Sequence, residues 1–197
     1  MDQVLDPSTA IFSKVLKSPT EVTARIEEMA REILVRYKDQ NPLFICLLRG
    51  GAPFAARLMF AIAAQDTTFH PELDYLTVKT YGNKLTSKEP TLIMGLAPNS
   101  AALGRTTIIL DDVLDEGHTA AFTKKYLIAN GAARVDLIVL VQKVKPRPAY
   151  SNATMFGFEA PADWLTGMGM DDPRLASEAN RWLGLVAIAN TQEDAHA

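Results

Sequence analysis

Apolar positions along this chain follow two rhythms. Val22, Ile26, Met29, Ile33 and Tyr37 recur at the spacing of one helix face. Ser18-Pro19-Thr20-Glu21 precedes them and supplies a helix start. It offers a hydroxyl cap, proline at the first helical position and glutamate three residues after the cap. Asn41-Pro42 breaks the pattern, and the unbroken run Leu43-Phe44-Ile45-Cys46-Leu47-Leu48 predicts a strand buried on both faces. Arg49-Gly50-Gly51 closes it, and a helix is expected over 53–64. Strands are expected over about 73–80, 91–96, 106–110 and 135–141, with a helix over 120–129 that Asn130-Gly131 stops. Buried strands alternating with helices predict an α/β fold, a mostly parallel sheet flanked by helices.

Organisation follows from the same pattern. A core is expected over about 18–145. Beyond Pro146 the chain breaks into short segments with aromatics, glycine and proline, which suggests a small C-terminal appendage over about 146–190. Residues 81–100 open on a polar stretch with little periodicity, expected either as a lid or as a plain hairpin extension. Residues 191–197 have the texture of a frayed tail.

Length and composition narrow the class. A chain of 197 residues fits one domain and can bury a real core. The net charge of −3 argues against a general nucleic-acid binder, which would show a basic excess. It leaves room for a small phosphorylated ligand, which needs only local donors. The single cysteine, Cys46, sits in an apolar run and is expected to be core packing rather than a nucleophile. No basic, apolar leader opens the sequence and no apolar segment approaches the ~20 residues of a membrane span, so a cytoplasmic protein is expected.

The chemistry concentrates in Ile108 to Thr119. Asp111 and Asp112 stand at the carboxyl end of a strand, where open α/β sheets bind ligands. Carboxylates there suit ribose hydroxyls or hydrated magnesium. The backbone amides of Glu116, Gly117, His118 and Thr119 lie where a helix begins and can cradle a phosphate. Thr119 adds a hydroxyl. A solvated acidic turn is the plain alternative.

The run Ile109-Leu110-Asp111-Asp112-Val113-Leu114-Asp115-Glu116-Gly117-His118-Thr119 resembles the phosphoribosyl-diphosphate loop of the type I phosphoribosyltransferases. Other segments, in order, resemble the hypoxanthine-guanine branch. Leu48-Arg49-Gly50-Gly51 is similar to its diphosphate loop, Thr80-Tyr81-Gly82 to the start of its mobile catalytic loop, and Val141-Gln142-Lys143 to its purine-contacting lysine segment. Residues 157–161 through Trp164, then Gly167 and Asp171, are similar to its C-terminal hood. The resemblance spans about residues 44–189.

It implies transfer of a 5-phosphoribosyl group from phosphoribosyl diphosphate to N9 of a 6-oxopurine, with Mg2+ and release of diphosphate. It implies Asp111 and Asp112 at the ribose hydroxyls and magnesium, Asp115 near purine N7 as proton acceptor or electrostatic partner, and Asp171 at a second magnesium. Arg49, Gly50, Thr80, Tyr81 and the loop from Asp115 to Thr119 would bind phosphoribosyl diphosphate. Lys143, Trp164 and Leu165 would receive the base. A lysine only donates, so Lys143 fits the O6 of hypoxanthine or guanine and not the amino group of adenine. A homodimer or homotetramer is implied, with neither nucleic acid nor membrane as partner.

Three departures stand out. Glu116 replaces the usual threonine or serine of the phosphate cradle, so its carboxylate is expected to turn outward. His118 fills a variable slot and is expected to be solvated or capping, with no metal cluster around it. The family arginine that follows the second-magnesium aspartate is out of phase at Arg174; Arg181, before Trp182 to Ile188, is preferred for the diphosphate. The alternative class is a regulatory protein that senses phosphoribosyl diphosphate on the same scaffold and binds RNA or DNA. The short segment 1–42 and the acidic total speak against it. A third possibility keeps the enzyme and changes the base to xanthine or another ring.

Overall fold

The computed structural model describes residues 12–79, 90–98, 100–148, 151–170 and 178–189. Strand β1 (Phe12–Lys17) leads into helix α1 (Pro19–Tyr37), then β2 (Leu43–Leu48), α2 (Gly51–Gln65), β3 (Glu72–Lys79) and β4 (Thr91–Met94). Next come β5 (Thr106–Leu114), α3 (His118–Ala129), β6 (Arg134–Lys143) and β7 (Met155–Ala160). The chain closes through β8 (Leu165–Thr166), a 3-10 turn (Glu178–Trp182) and β9 (Val186–Ala189). At the start of α1 the Ser18 hydroxyl accepts from the Glu21 amide while the Glu21 carboxylate accepts from the Ser18 amide, as the sequence predicts.

Six strands form the large sheet in the order β4-β3-β2-β5-β6-β7. The four central ladders, β2 with β3, β2 with β5, β5 with β6 and β6 with β7, are all parallel, while β4 is antiparallel on the edge. The strands are apolar on both faces because helices cover both. Phe44, Cys46, Ile108, Leu110, Ile138 and Leu140 pack with α1 and α2, whereas Leu43, Ile45, Leu47, Ile109, Leu137 and Val139 pack on the face that α3 covers. Tyr37 anchors the end of α1 through its hydroxyl, which donates to Asp136 Oδ2 at 2.8 Å inside the core. No helix among the described residues is long and apolar enough to cross a membrane.

Three features depart from the sequence expectations. β5 does not stop at Leu110 but runs to Leu114, so Asp111 and Asp112 belong to a strand. Pairing with β6 sustains it, with Asp111 opposite Val139 and Val113 opposite Val141. Beyond Pro146 the chain is not all appendage, since β7 extends the large sheet with Val139 opposite Phe156. The remainder builds a second, three-stranded sheet, β1-β9-β8. Its outer strand is β1, which the apolar pattern does not announce because only half its residues are more than exposed edge.

This topology dictates where a cleft opens. From β2 the chain crosses through α2 to β3 on one side; from β5 it crosses through α3 to β6 on the other. β2 and β5 are therefore neighbours whose following loops part in opposite directions. Their ladder ends at Cys46 opposite Leu110, while β2 continues against β3 to Leu48 and β5 against β6 to Leu114.

Candidate active site

A cleft of about 730 Å³ occupies that parting point, lined by residues from β2, β3, β5 and the start of α3, with Trp164 just before β8 and Arg181 of the 3-10 turn. On the β2 side the Leu48-Arg49 peptide is cis and Gly50 precedes α2. Gly50 faces Asp112 so closely that a Cβ there would lie 2.3 Å from Asp112 Oδ2. From the other direction Gly169, at φ +105°, presses on the Gly50 carbonyl, leaving no room for a side chain. Arg181 is buried, donates to the Gly169 carbonyl and lines the cleft. Arg49, Gly50, Asp112 and Arg181 all line the cleft, Arg181 from the 3-10 turn beside the second sheet.

Asp111 and Asp112 lie where β5 has lost β2 but kept β6. The Asp112 amide donates to Asp111 Oδ1 at 3.1 Å and the Val113 amide to Asp112 Oδ1 at 2.9 Å. Burial, and then the negative charge of Asp112, pushes the Asp111 carboxyl well above the ordinary carboxylate range. Burial also raises Asp112, opposed by its bonds to Asp111 and the Val113 amide and by the Arg181 charge. Burial, and then the charges of the same aspartates, push the Cys46 thiol up to about 12, so this cysteine is inert core, as expected.

At the end of β5 the chain turns through Asp115, Glu116 and Gly117 into α3. Gly117 adopts φ +83°, and a Cβ on it would meet the Ser151 Cβ at 2.5 Å. No side chain caps α3, so its first-turn amides face the cleft that Gly117, His118 and Thr119 line. The Glu116 carboxylate is two-thirds exposed and pairs with His118 Nε2 at 3.2 Å. Lys145 Nζ stands 3.9 Å from it.

Asp115 bridges this turn to the end of β6. Its Oδ2 accepts from Lys143 Nζ at 2.8 Å, and its Oδ1 pairs with Lys145 Nζ. Partial burial raises the Asp115 carboxyl, but the two ammonium groups outweigh that and hold it below its ordinary value. Lys143 is buried, and its ammonium sits 5.9 Å from the centre of the Trp164 ring. Trp164 is 46% exposed toward the cleft, and Leu165 beside it is buried in β8. Its backbone is fixed by the Ala189 amide, which donates to the Trp164 carbonyl.

The described residues therefore bring together Arg49, Gly50, Asp111, Asp112, Asp115, Glu116, Gly117, His118, Thr119, Trp164 and Arg181 along one cleft, with Lys143 reaching it through Asp115. Thr80, Tyr81, Asp171 and Arg174 lie outside the described residues. No cluster of three or more metal-ligating side chains occurs among the described residues. Sequence reasoning missed Lys145 as a partner of Asp115. The local signal was its place two residues after Lys143, and a bend in which the Lys145 amide donates to the Lys143 carbonyl at 3.1 Å brings the two side chains to one carboxylate.

Comparison with known proteins agrees with this geometry. The family model of the phosphoribosyl transferase domain matches residues 15–173. The chain is 32% identical to the hypoxanthine-guanine phosphoribosyltransferase of Bacillus subtilis over 161 residues, 81% of this chain and 86% of that one. A bifunctional TilS/HprT protein of Listeria innocua is 33% identical over 161 residues, but this chain spans only 24% of its length. Among solved structures, a hypoxanthine phosphoribosyltransferase of Staphylococcus aureus superposes with a TM-score of 0.81 at 20% identity, covering 95% of each chain. That of Trypanosoma cruzi, in complex with the product IMP, gives 0.78 at 21% identity over 91% of this chain and 95% of that one. A type I fold opening at the β2–β5 parting, together with the match over residues 15–173, shows that this chain belongs to the phosphoribosyltransferase family, on its hypoxanthine-guanine branch.

Proposed function

We propose that this chain transfers the 5-phosphoribosyl group of phosphoribosyl diphosphate to N9 of a 6-oxopurine, hypoxanthine or guanine, and releases diphosphate, in purine salvage. One observation carries the proposal. The carboxylate pair Asp111 and Asp112, the uncapped start of α3 and the Asp115–Lys143 pair beside Trp164 border one cleft. That sequence of groups suits a ribose, a phosphate and a donor-seeking flat base in turn.

The chemistry follows from charge. Breaking the bond from the anomeric carbon to diphosphate leaves an oxocarbenium-like sugar and a developing anion, so the chain must position both and balance the charge. The first-turn amides of α3, with Gly117 clearing the backbone and Thr119 adding a hydroxyl, hold the 5-phosphate. Arg49, the Gly50 backbone and Arg181 meet the diphosphate, and the family resemblance adds Thr80 and Tyr81 to its binders. Asp111 and Asp112 take the ribose hydroxyls. The same pair suits Mg2+, which is bound through one or two carboxylates plus substrate phosphates, because burial has raised both groups and a cation would relieve that cost. Bound there, with Asp171 serving a second ion, Mg2+ would neutralise diphosphate charge.

Lys143 donates to the purine O6, and Trp164 stacks on the ring with Leu165 beside it. Asp115 faces N7. Its depressed pKa keeps it ionised, and Lys143 turning toward O6 draws one cation away and so makes it more basic when the base arrives. Residues 81–100 include the lid, the large sheet with its helices is the core, and the second sheet, β1-β9-β8, is the hood. The chain works in the cytoplasm as a homodimer or homotetramer.

The test is product formation. With phosphoribosyl diphosphate, magnesium and hypoxanthine or guanine, nucleotide and diphosphate should appear in equal amounts. Adding the nucleotide alone should quench tryptophan fluorescence, and Trp164→Phe should remove that response. Absence of both nucleotide formation and quenching would overturn the proposal.

A further inference from the structure

Asp115 is held by two cations, and the proposed chemistry occupies only one of them. Lys143, its side chain 7% exposed, would turn its ammonium toward the base. Lys145, 23% exposed, pairs with the other oxygen, Asp115 Oδ1. We propose that Lys145 is a positioning residue that keeps the Asp115 carboxylate aimed into the cleft while Lys143 is engaged by the purine. The inference rests on the functional reading above and deepens it.

The backbone explains how both lysines reach one carboxylate. Lys143 is the last residue of β6, opposite Ala160 of β7. The Val144 amide continues that contact by donating to the Ala160 carbonyl at 2.8 Å, and the chain then bends, with the Lys145 amide donating back to the Lys143 carbonyl at 3.1 Å. That tight bend brings Lys145 back beside Lys143, so both ammonium groups reach Asp115, and Val144 between them is exposed. Each Asp115 oxygen meets a different ammonium, which fixes the plane of the carboxylate as a single pair would not.

The charged groups around Asp115 are few. Lys143 and Lys145 face it from the end of β6, and Glu116 lies on its own turn. Glu116 pairs with His118 and stands 3.9 Å from Lys145, so Lys145 also offsets the second carboxylate of the turn. Without Lys145, Asp115 would face Glu116 with its remaining cation committed to the base. It would be free to rotate and more readily protonated.

Lys145→Met, Lys145→Arg and the native chain decide the matter by two readouts. Under saturating phosphoribosyl diphosphate and magnesium, Lys145→Met should lower kcat about tenfold while KM for hypoxanthine moves less than about twofold, and Lys145→Arg should recover most of the loss. Independently of turnover, carbon-13 NMR of the Asp115 carboxyl in the ligand-free chain should show Lys145→Met titrating at higher pH than the native protein, and Lys145→Arg close to native. Unchanged kcat in Lys145→Met, or an Asp115 titration that does not move, would overturn the proposal. A native chain that turns over no purine would instead defeat the functional reading. The titration would still tell whether Lys145 holds Asp115.

Discussion

Single residues carry the chemistry, and the aspartates show how position sets their behaviour. Asp115, paired with two lysines, is kept ionised, while Asp111, beside Asp112 in a buried strand end, resists ionisation. Asp115→Asn keeps the shape and removes the charge. Its kcat should fall roughly 10²–10⁴-fold with base affinity little changed, as steady-state kinetics and equilibrium binding would show. Asp111 predicts an exchange of stability for function. Because folding raises its pKa, the native chain binds more protons than the unfolded chain above about pH 4, and stability falls as pH rises through the native pKa. Asp111→Asn cannot ionise. At pH 7 the ligand-free variant should melt about 3 °C above the native chain. The gain should vanish below about pH 4, while turnover is lost. Calorimetry across pH checks both limbs.

Asp111, Asp112 and Asp115 were legible as site residues because they follow an apolar run and precede a glycine and a helix. Lys145 was not legible. Its role depends on the bend of the backbone past β6 and on which oxygen of Asp115 remains free, and neither is written in local sequence. Glu116 was legible as an exposed side chain, and it is exposed, with His118 as the partner that the sequence did not single out.

At the scale of elements, the cleft depends on close backbone approaches. α3 begins at a glycine in the left-handed region wedged against Ser151, and α2 begins beside a glycine wedged between Asp112 and Gly169. Gly117→Ala would meet both an unfavourable φ and the Ser151 side chain. The start of α3 must shift, and KM for phosphoribosyl diphosphate should rise at least about tenfold, with thermal stability lowered by only a few degrees. Equal rises in KM for the base and for phosphoribosyl diphosphate would argue against a local effect on the phosphate cradle.

Elements with strong internal pattern were read well. The capping box and five-residue stripe of α1, and the apolar runs of β2 and β6, appear where the sequence puts them. β5 was read four residues short because two aspartates look like a loop, yet a parallel partner on one side suffices to keep them in a strand. β1 was missed because an exposed edge strand has little apolar signal and draws its pairing from β9, far along the chain.

The whole molecule combines a rigid sheet with a site assembled from its two halves. The large sheet supplies Asp111, Asp112 and Lys143, the turn after β5 supplies Asp115, and the second sheet holds Leu165 on β8 with Trp164 just before it and lies next to Arg181. The second sheet needs β1, so the first strand of the described chain supports a wall of the cleft formed by its last segments. The net charge of −3 is that of the chain alone, and the Mg2+ of the proposed reaction would add positive charge to a cleft that Arg49 and Arg181 already line.

The central claim is that Lys143 and its surroundings select a 6-oxopurine for phosphoribosyl transfer. The most direct measurement is kcat/KM for hypoxanthine, guanine, xanthine, adenine and uracil, each with phosphoribosyl diphosphate and magnesium. Hypoxanthine or guanine should exceed adenine and uracil by at least about 10³-fold, because a buried donor left without its acceptor is costly. Adenine outpacing the oxopurines, or no turnover with any base, would contradict the account.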